Sequence, residues 1–183
     1  RMKKEILLAK ARTDSVGGVL ETVVTGIEAG IGEPWFDTVE SLLSHALFSI
    51  PAVKGVEFGD GFALADMRAS FANDWYKIDG SGITTTTNHN GGICGGITNG
   101  SPLLFRCAVK PTPSIAIKQK TVDFIEKINT DIEIGGRHDP CIAPRAACVV
   151  NAVTALVIAD MLTTRFGTDY LKPEGKEKTW STD

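Results

Sequence analysis

Pro144-Arg145-Ala146-Ala147-Cys148-Val149-Val150-Asn151-Ala152-Val153-Thr154-Ala155-Leu156-Val157-Ile158-Ala159-Asp160-Met161-Leu162-Thr163-Thr164-Arg165-Phe166 is the stretch that decides the architecture. From Ala146 to Ala159 apolar side chains fall on nearly every position, not on the single stripe of an amphipathic surface helix. Pro144 suits the first turn, where its missing N–H leaves no bond unmade. A helix apolar nearly all round belongs in an interior and needs cover on several sides.

The remaining sequence supplies candidates for that cover. Val19 to Ile27, Val53 to Phe58 and Leu103 to Val109 read as strands. Ile83 and the run Thr84-Thr85-Thr86-Thr87 are strongly β-prone, and two short strands near 121–125 and 130–134 are expected to form a hairpin. Helical patterning covers 2–11, 62–75 and 36–50, the last with Val39, Leu42, Leu43, Ala46, Leu47 and Ile50 on one face before Pro51 stops it. Antiparallel strands in pairs, with helices packed on or between sheets, give an α+β fold. Residues 2–11 begin without an N-cap, so 1–13 are expected to be the remainder of a helix that starts upstream. Residues 168–183, rich in Lys and Glu, are expected to form a loosely ordered polar tail.

At 183 residues, 43% hydrophobic and 22% charged, the chain suits one soluble domain. A net charge of −3 offers no general attraction to nucleic acid or to an acidic membrane, so an anion must be held by local basic residues. No run approaches the ~20 apolar residues of a membrane span, and no signal-peptide pattern opens the chain, which makes the cytoplasm the default compartment. Cys94, Cys107, Cys141 and Cys148 lack the paired spacing of a zinc site, and His45, His89 and His138 are too far apart in sequence to suggest one.

Three segments carry chemistry. Gly135-Gly136-Arg137-His138-Asp139-Pro140-Cys141 sets a fixed cation, an imidazole and a carboxylate in consecutive positions. On an extended backbone Arg137 and Asp139 share one face and His138 takes the other, an arrangement for binding an anion with a base in reach. The alternative is a turn in which Asp139-Pro140 caps the helix that follows. Gly91-Gly92-Ile93-Cys94-Gly95-Gly96-Ile97-Thr98-Asn99-Gly100 holds five glycines in ten residues, and matches neither the phosphate-loop nor the dinucleotide pattern. It reads either as close approach of a ligand to main chain or as a wide turn joining strands. Lys110-Pro111-Thr112-Pro113-Ser114 holds a cation and two hydroxyls on a segment stiffened by two prolines, which suits a phosphate or an exposed connector.

Together with Asp14-Ser15-Val16-Gly17-Gly18 and the run from Ser41 to Glu57, these segments resemble chorismate synthase, the flavin-dependent last enzyme of the shikimate pathway. They fall in that family's order and spacing from residue 14 to about 166, over the C-terminal half of the family's chain. The resemblance implies helices sandwiched between two antiparallel sheets, with 1–183 as the C-terminal portion of the domain. It implies a homotetramer that converts 5-enolpyruvylshikimate 3-phosphate to chorismate and phosphate by 1,4-trans elimination, with reduced FMN required but not consumed. It leaves open whether NADPH reduces that flavin on the same protein. By the same resemblance Ala52, Gly95, Lys110, Pro111, Thr112, Pro113, Ser114 and Arg137 contact the flavin, Arg137 also meets the substrate, and Asp139 manages a proton at flavin N5. The family's Gly-Glu-Ser-His-Gly motif does not occur in these residues, Pro51 stands where some members carry Asn, and Asn88-His89-Asn90 departs slightly from the commoner run.

Overall fold

The structure is a computed structural model and describes residues 1–80 and 82–171. Met2–Ala11 form helix α1, over the range its composition predicts. Gly18–Val24 form strand β1, shorter than the run to Ile27 because Gly26 turns left-handed at φ +79°. The single helix expected over 36–50 is two pieces, a 3-10 turn at Trp35–Asp37 and helix α2 at Val39–Phe48. Thr38 divides them: its backbone is extended and its Oγ1 accepts from the Ser41 N–H at 3.0 Å, an N-cap that apolar periodicity does not reveal.

Val53–Phe58 form β2 as expected. The helix expected over 62–75 is instead a 3-10 segment, Gly61–Asp66, and one helical turn, α3, at Ala69–Ala72. Met67 and Arg68 between them are extended. Tyr76–Asp79 (β3) and Gly82–Thr85 (β4) pair as a hairpin, and Ile93–Cys94 (β5) pairs with Ile97–Thr98 (β6). Leu103–Val109 is β7. The later hairpin lies two residues earlier than its sequence pattern suggests, with β8 at Gln119–Asp123 and β9 at Ile128–Ile132. Asp123 sets that shift, because its Oδ1 accepts from the N–H groups of Ile125 and Glu126 and so turns the chain. Ala143–Phe166 is α4, and Thr168–Leu171 adds a 3-10 turn. Most of the expected polar tail lies outside the described residues.

The centre is a three-stranded antiparallel sheet in the order β1-β7-β2. Alternation on β7 sends Leu103, Phe105, Cys107 and Val109 inward and leaves Leu104, Arg106 and Ala108 on the outer face. Helix α2 lays Val39, Leu43 and Leu47 on the inner face, and α4 adds Val150, Ile158 and Met161 to the same core. These positions recur every three to four residues, so one face of each helix is buried.

Within the described residues helix α4 has cover on one flank, not yet the several sides its sequence calls for. Its far side stays in solvent, with Val149 46% and Leu156 71% exposed. The sheet and α2 cover one flank of a helix whose residues are apolar on both. Contrary to the reading that no segment approaches a membrane span, α4 is long and apolar enough to cross a bilayer by length and composition. Its packed stripe is that of a helix laid on a core.

Candidate functional site

The glycine-rich run forms a tight hairpin, not a wide turn. Gly95 and Gly96 are the two loop residues between β5 and β6, at φ +62° and +87°. Positive φ at both is the requirement of the mirror-image turn that matches strand twist. Gly96 is also fixed by packing: a Cβ there would lie 2.4 Å from Thr38 Cγ2, and its carbonyl accepts from the Val39 N–H at 3.0 Å. Gly95 meets no such neighbour and is exposed, so its main chain is open to a ligand.

Asp74 anchors the entry to that hairpin. Its carboxylate accepts from the Thr87 hydroxyl, the N–H groups of His89 and Asn90, and the Asn90 amide, all at 2.7–2.9 Å. Burial pushes its pKa up, but the hydrogen bonds together outweigh burial and hold the carboxyl below its ordinary value. The His89 Nδ1 contacts the Asp60 carboxylate beside it.

Ala52 is left-handed at φ +73°, and its carbonyl accepts from the Lys110 N–H at 2.9 Å. The loop from Lys110 to Ser114 thus starts against Ala52. Ser15 Oγ donates to the Thr112 carbonyl at 2.6 Å, and Gln119 Nε2 to the Pro113 carbonyl at 3.3 Å. Lys110, Pro111 and Pro113 are exposed, and Thr112 and Ser114 half-buried. The Thr112 hydroxyl oxygen is buried with no hydrogen-bond partner.

The turn before α4 also contacts the Ser15–Gly17 segment. The Val16 N–H donates to the Pro140 carbonyl at 2.9 Å, and the Cys141 thiol lies 3.9 Å from the Gly17 carbonyl. Arg137, His138, Asp139 and Pro140 line a cavity of about 490 Å³ together with Lys10 and Arg145. Lys110, Thr112 and Ser114 are not among its lining residues; the two groups meet through residues 15–17, which bond to both. Nor does His138 face away from Arg137 and Asp139; it lines the same cavity with its Nε2 2.8 Å from the Ile134 carbonyl.

Asp139 is not the cap of α4. The N-cap is Ile142, with no side-chain bond. Asp139 Oδ1 accepts from the Cys141 N–H at 3.1 Å, and Oδ2 pairs with the Arg145 guanidinium. Sequence reasoning missed Lys10 and Arg145. For Arg145 there was a signal, a cation in the first turn of a helix six residues after a carboxylate; for Lys10 there was none. Three cations against one carboxylate make this a locally basic spot on a chain of net charge −3.

Fold and cavity together define an α+β unit with a basic cleft suited to an anionic ligand. The family model described as chorismate synthase matches residues 1–163, and the chain belongs to the chorismate synthase family. It is 51% identical over 161 residues to the chorismate synthase of Dehalococcoides mccartyi strain 195, covering 88% of this chain and 44% of that protein. The chorismate synthase of Methanothermobacter thermautotrophicus is 52% identical over 161 residues, covering 87% of this chain and 43% of the relative. A crystal structure of chorismate synthase superposes with a TM-score of 0.73 at 31% identity, over 91% of this chain and 43% of that one. The chain therefore spans a little under half the length of these relatives, and the helices and antiparallel sheets expected from the sequence are those of this fold.

Proposed function

We propose that this chain is the flavin-facing, C-terminal portion of a chorismate synthase, which removes a proton and phosphate from 5-enolpyruvylshikimate 3-phosphate by 1,4-trans elimination to give chorismate. The observation that carries the reading is family membership at about 50% identity, with the loop 110–114 and the turn before α4 both tied to residues 15–17. The residues fit reduced FMN on a separate ground. A buried hydroxyl without a partner, Thr112 Oγ1, sits in the one loop that also offers Lys110 and Ser114.

The chemistry that reduced FMN supplies when bound is transient electron density for the departing phosphate. Lys110, Thr112 and Ser114 would hold its ribityl phosphate region, Pro111 and Pro113 keep those donors in place, and Ala52 and Gly95 offer main chain for close approach. Arg137, with no ion pair among the described residues, takes a substrate anion. With the flavin bound, Asp139 would manage the proton at its N5. A homotetramer in the cytoplasm belongs to the same proposal.

A second reading is favoured by the share of the relatives' length that is matched: the 183 residues alone are an inactive folded piece that retains part of the flavin site. Removing a positioned acid or base costs about 10²- to 10⁴-fold each. Adding FMN to the purified chain and following flavin fluorescence tests the site. Phosphate release from the substrate with reduced FMN, above a flavin-only control, separates the readings. Saturable FMN binding without turnover is expected from the chain alone. Absence of FMN binding overturns the flavin-site assignment, and turnover by the chain alone overturns the second reading.

A further inference from the structure

We infer that Arg145 is a positioning residue that occupies Asp139 and so keeps Arg137 available for an anion in the basic cavity. This rests on the reading above only in taking that cavity as an anion site. Two arginines compete for one carboxylate here. Arg137 is two residues from Asp139 in sequence and lines the same cavity, yet it forms no ion pair among the described residues. Arg145 comes from the first turn of α4 and takes Asp139 Oδ2, while the Cys141 N–H takes Oδ1 at 3.1 Å. Each carboxylate oxygen thus has a donor, and neither donor is Arg137.

The pair is placed for orientation, not for stability. The Arg145 side chain is 75% exposed and that of Asp139 27%. An ion pair with one arm so open to water adds little to folding. What it changes is the population of Arg137 rotamers. With Asp139 unoccupied by Arg145, the other cations that line the cavity with it are Arg137 and Lys10. A guanidinium engaged by a carboxylate has fewer donors left for phosphate, and the carboxylate brought with it repels an anion.

Inorganic phosphate binding to the full 183-residue chain tests the inference by isothermal titration, with R145Q, D139N and the double variant D139N/R145Q. Far-UV circular dichroism and thermal melts confirm the fold of each. R145Q is expected to weaken phosphate binding about tenfold, the loss of one charge-assisted hydrogen bond. The double variant is expected to match D139N within about twofold, because with no carboxylate to occupy, Arg145 has nothing to position. If Arg145 instead bound the anion itself, R145Q would weaken binding equally in both backgrounds, and the inference would be wrong. It would be wrong as well if R145Q bound phosphate like the parent. If R145Q did not fold, R145M takes its place and is read by the same two criteria: a loss that vanishes beside D139N supports the inference, and parent-like binding or a loss that persists beside D139N overturns it. Failure of FMN binding would overturn the flavin-site assignment and leave this cycle intact.

Discussion

Gly17→Ala is the substitution that most directly probes how the two candidate site loops are held together. A Cβ on Gly17 would stand 2.4 Å from the Val109 carbonyl oxygen and 3.2 Å from Pro111 Cδ. Real Cβ contacts essentially never fall under 3.0 Å, and the nearest obstacle is main chain of the central strand β7, which cannot rotate aside. The 15–17 segment must move away by several tenths of an ångström. That segment carries the Ser15 bond to the Thr112 carbonyl and the Val16 bond to the Pro140 carbonyl. Overpacking costs about 1–3 kcal/mol, and weakening two hydrogen bonds adds about 1 kcal/mol. The stiffer unfolded chain returns about 0.4–1 kcal/mol. A net loss of about 1–3.5 kcal/mol, centred on ~2 kcal/mol, is expected. With a slope of about 2 kcal/mol/M, the urea midpoint should fall by about 1 M. FMN affinity, measured under folding conditions, should fall as well, because the loop from Lys110 to Ser114 loses its tie to Ser15. A midpoint unchanged within about 0.2 M (about 0.4 kcal/mol on this slope), together with parent-like FMN binding, would refute the reasoning.

Asp74→Asn should lower stability at pH 7 by about 1–3 kcal/mol, since an amide donor replaces one of two acceptor oxygens facing N–H groups. The parent carboxyl titrates below its ordinary value in the fold, so its contribution is full above about pH 4 to 5 and is lost as pH falls through the lower folded value. Urea midpoints from pH 7 to pH 2 should therefore fall more steeply for the parent than for Asp74→Asn, and parallel curves would remove Asp74 from the account. Cys94 and Cys148 are exposed, whereas Cys107 and Cys141 are buried and burial pushes the Cys107 thiol up to about 11. A thiol reagent at pH 8 should modify Cys94 and Cys148 quickly and the other two only after unfolding, as mass mapping of the labelled peptides would show. In the full-length enzyme, Asp139→Asn should slow the chemical step about 10²-fold or more with flavin affinity nearly kept, since it alters a proton carrier and preserves shape. Full activity in single-turnover kinetics would leave Asp139 a structural role only.

Strong one-dimensional patterns were legible in the sequence. Leu103–Val109 appears over its expected range because alternation on a sheet with one buried face writes itself into every second residue, and Val53–Phe58 does so although a register shift between Val53 and Gly55 breaks its alternation. Helix α4 was legible from length and apolar content, and the family from loops whose residues are quoted in order along the chain. What the sequence could not carry were choices made by partners far along it. Asp74 is engaged by Thr87, His89 and Asn90, thirteen to sixteen positions on, and nothing in the apolar pattern of 62–75 marks that partnership. Asp139 reads equally as a cap or as a site residue until Arg145 and the Cys141 N–H are seen on its two oxygens. Lys10 and Arg137 lie more than a hundred positions apart, and Ser15 meets the Thr112 carbonyl across 97. Periodicity records which face of an element is buried; it holds no record of which distant polar group will arrive there. Only the packing of β1 against β7, with α4 beneath, brings those groups to one place.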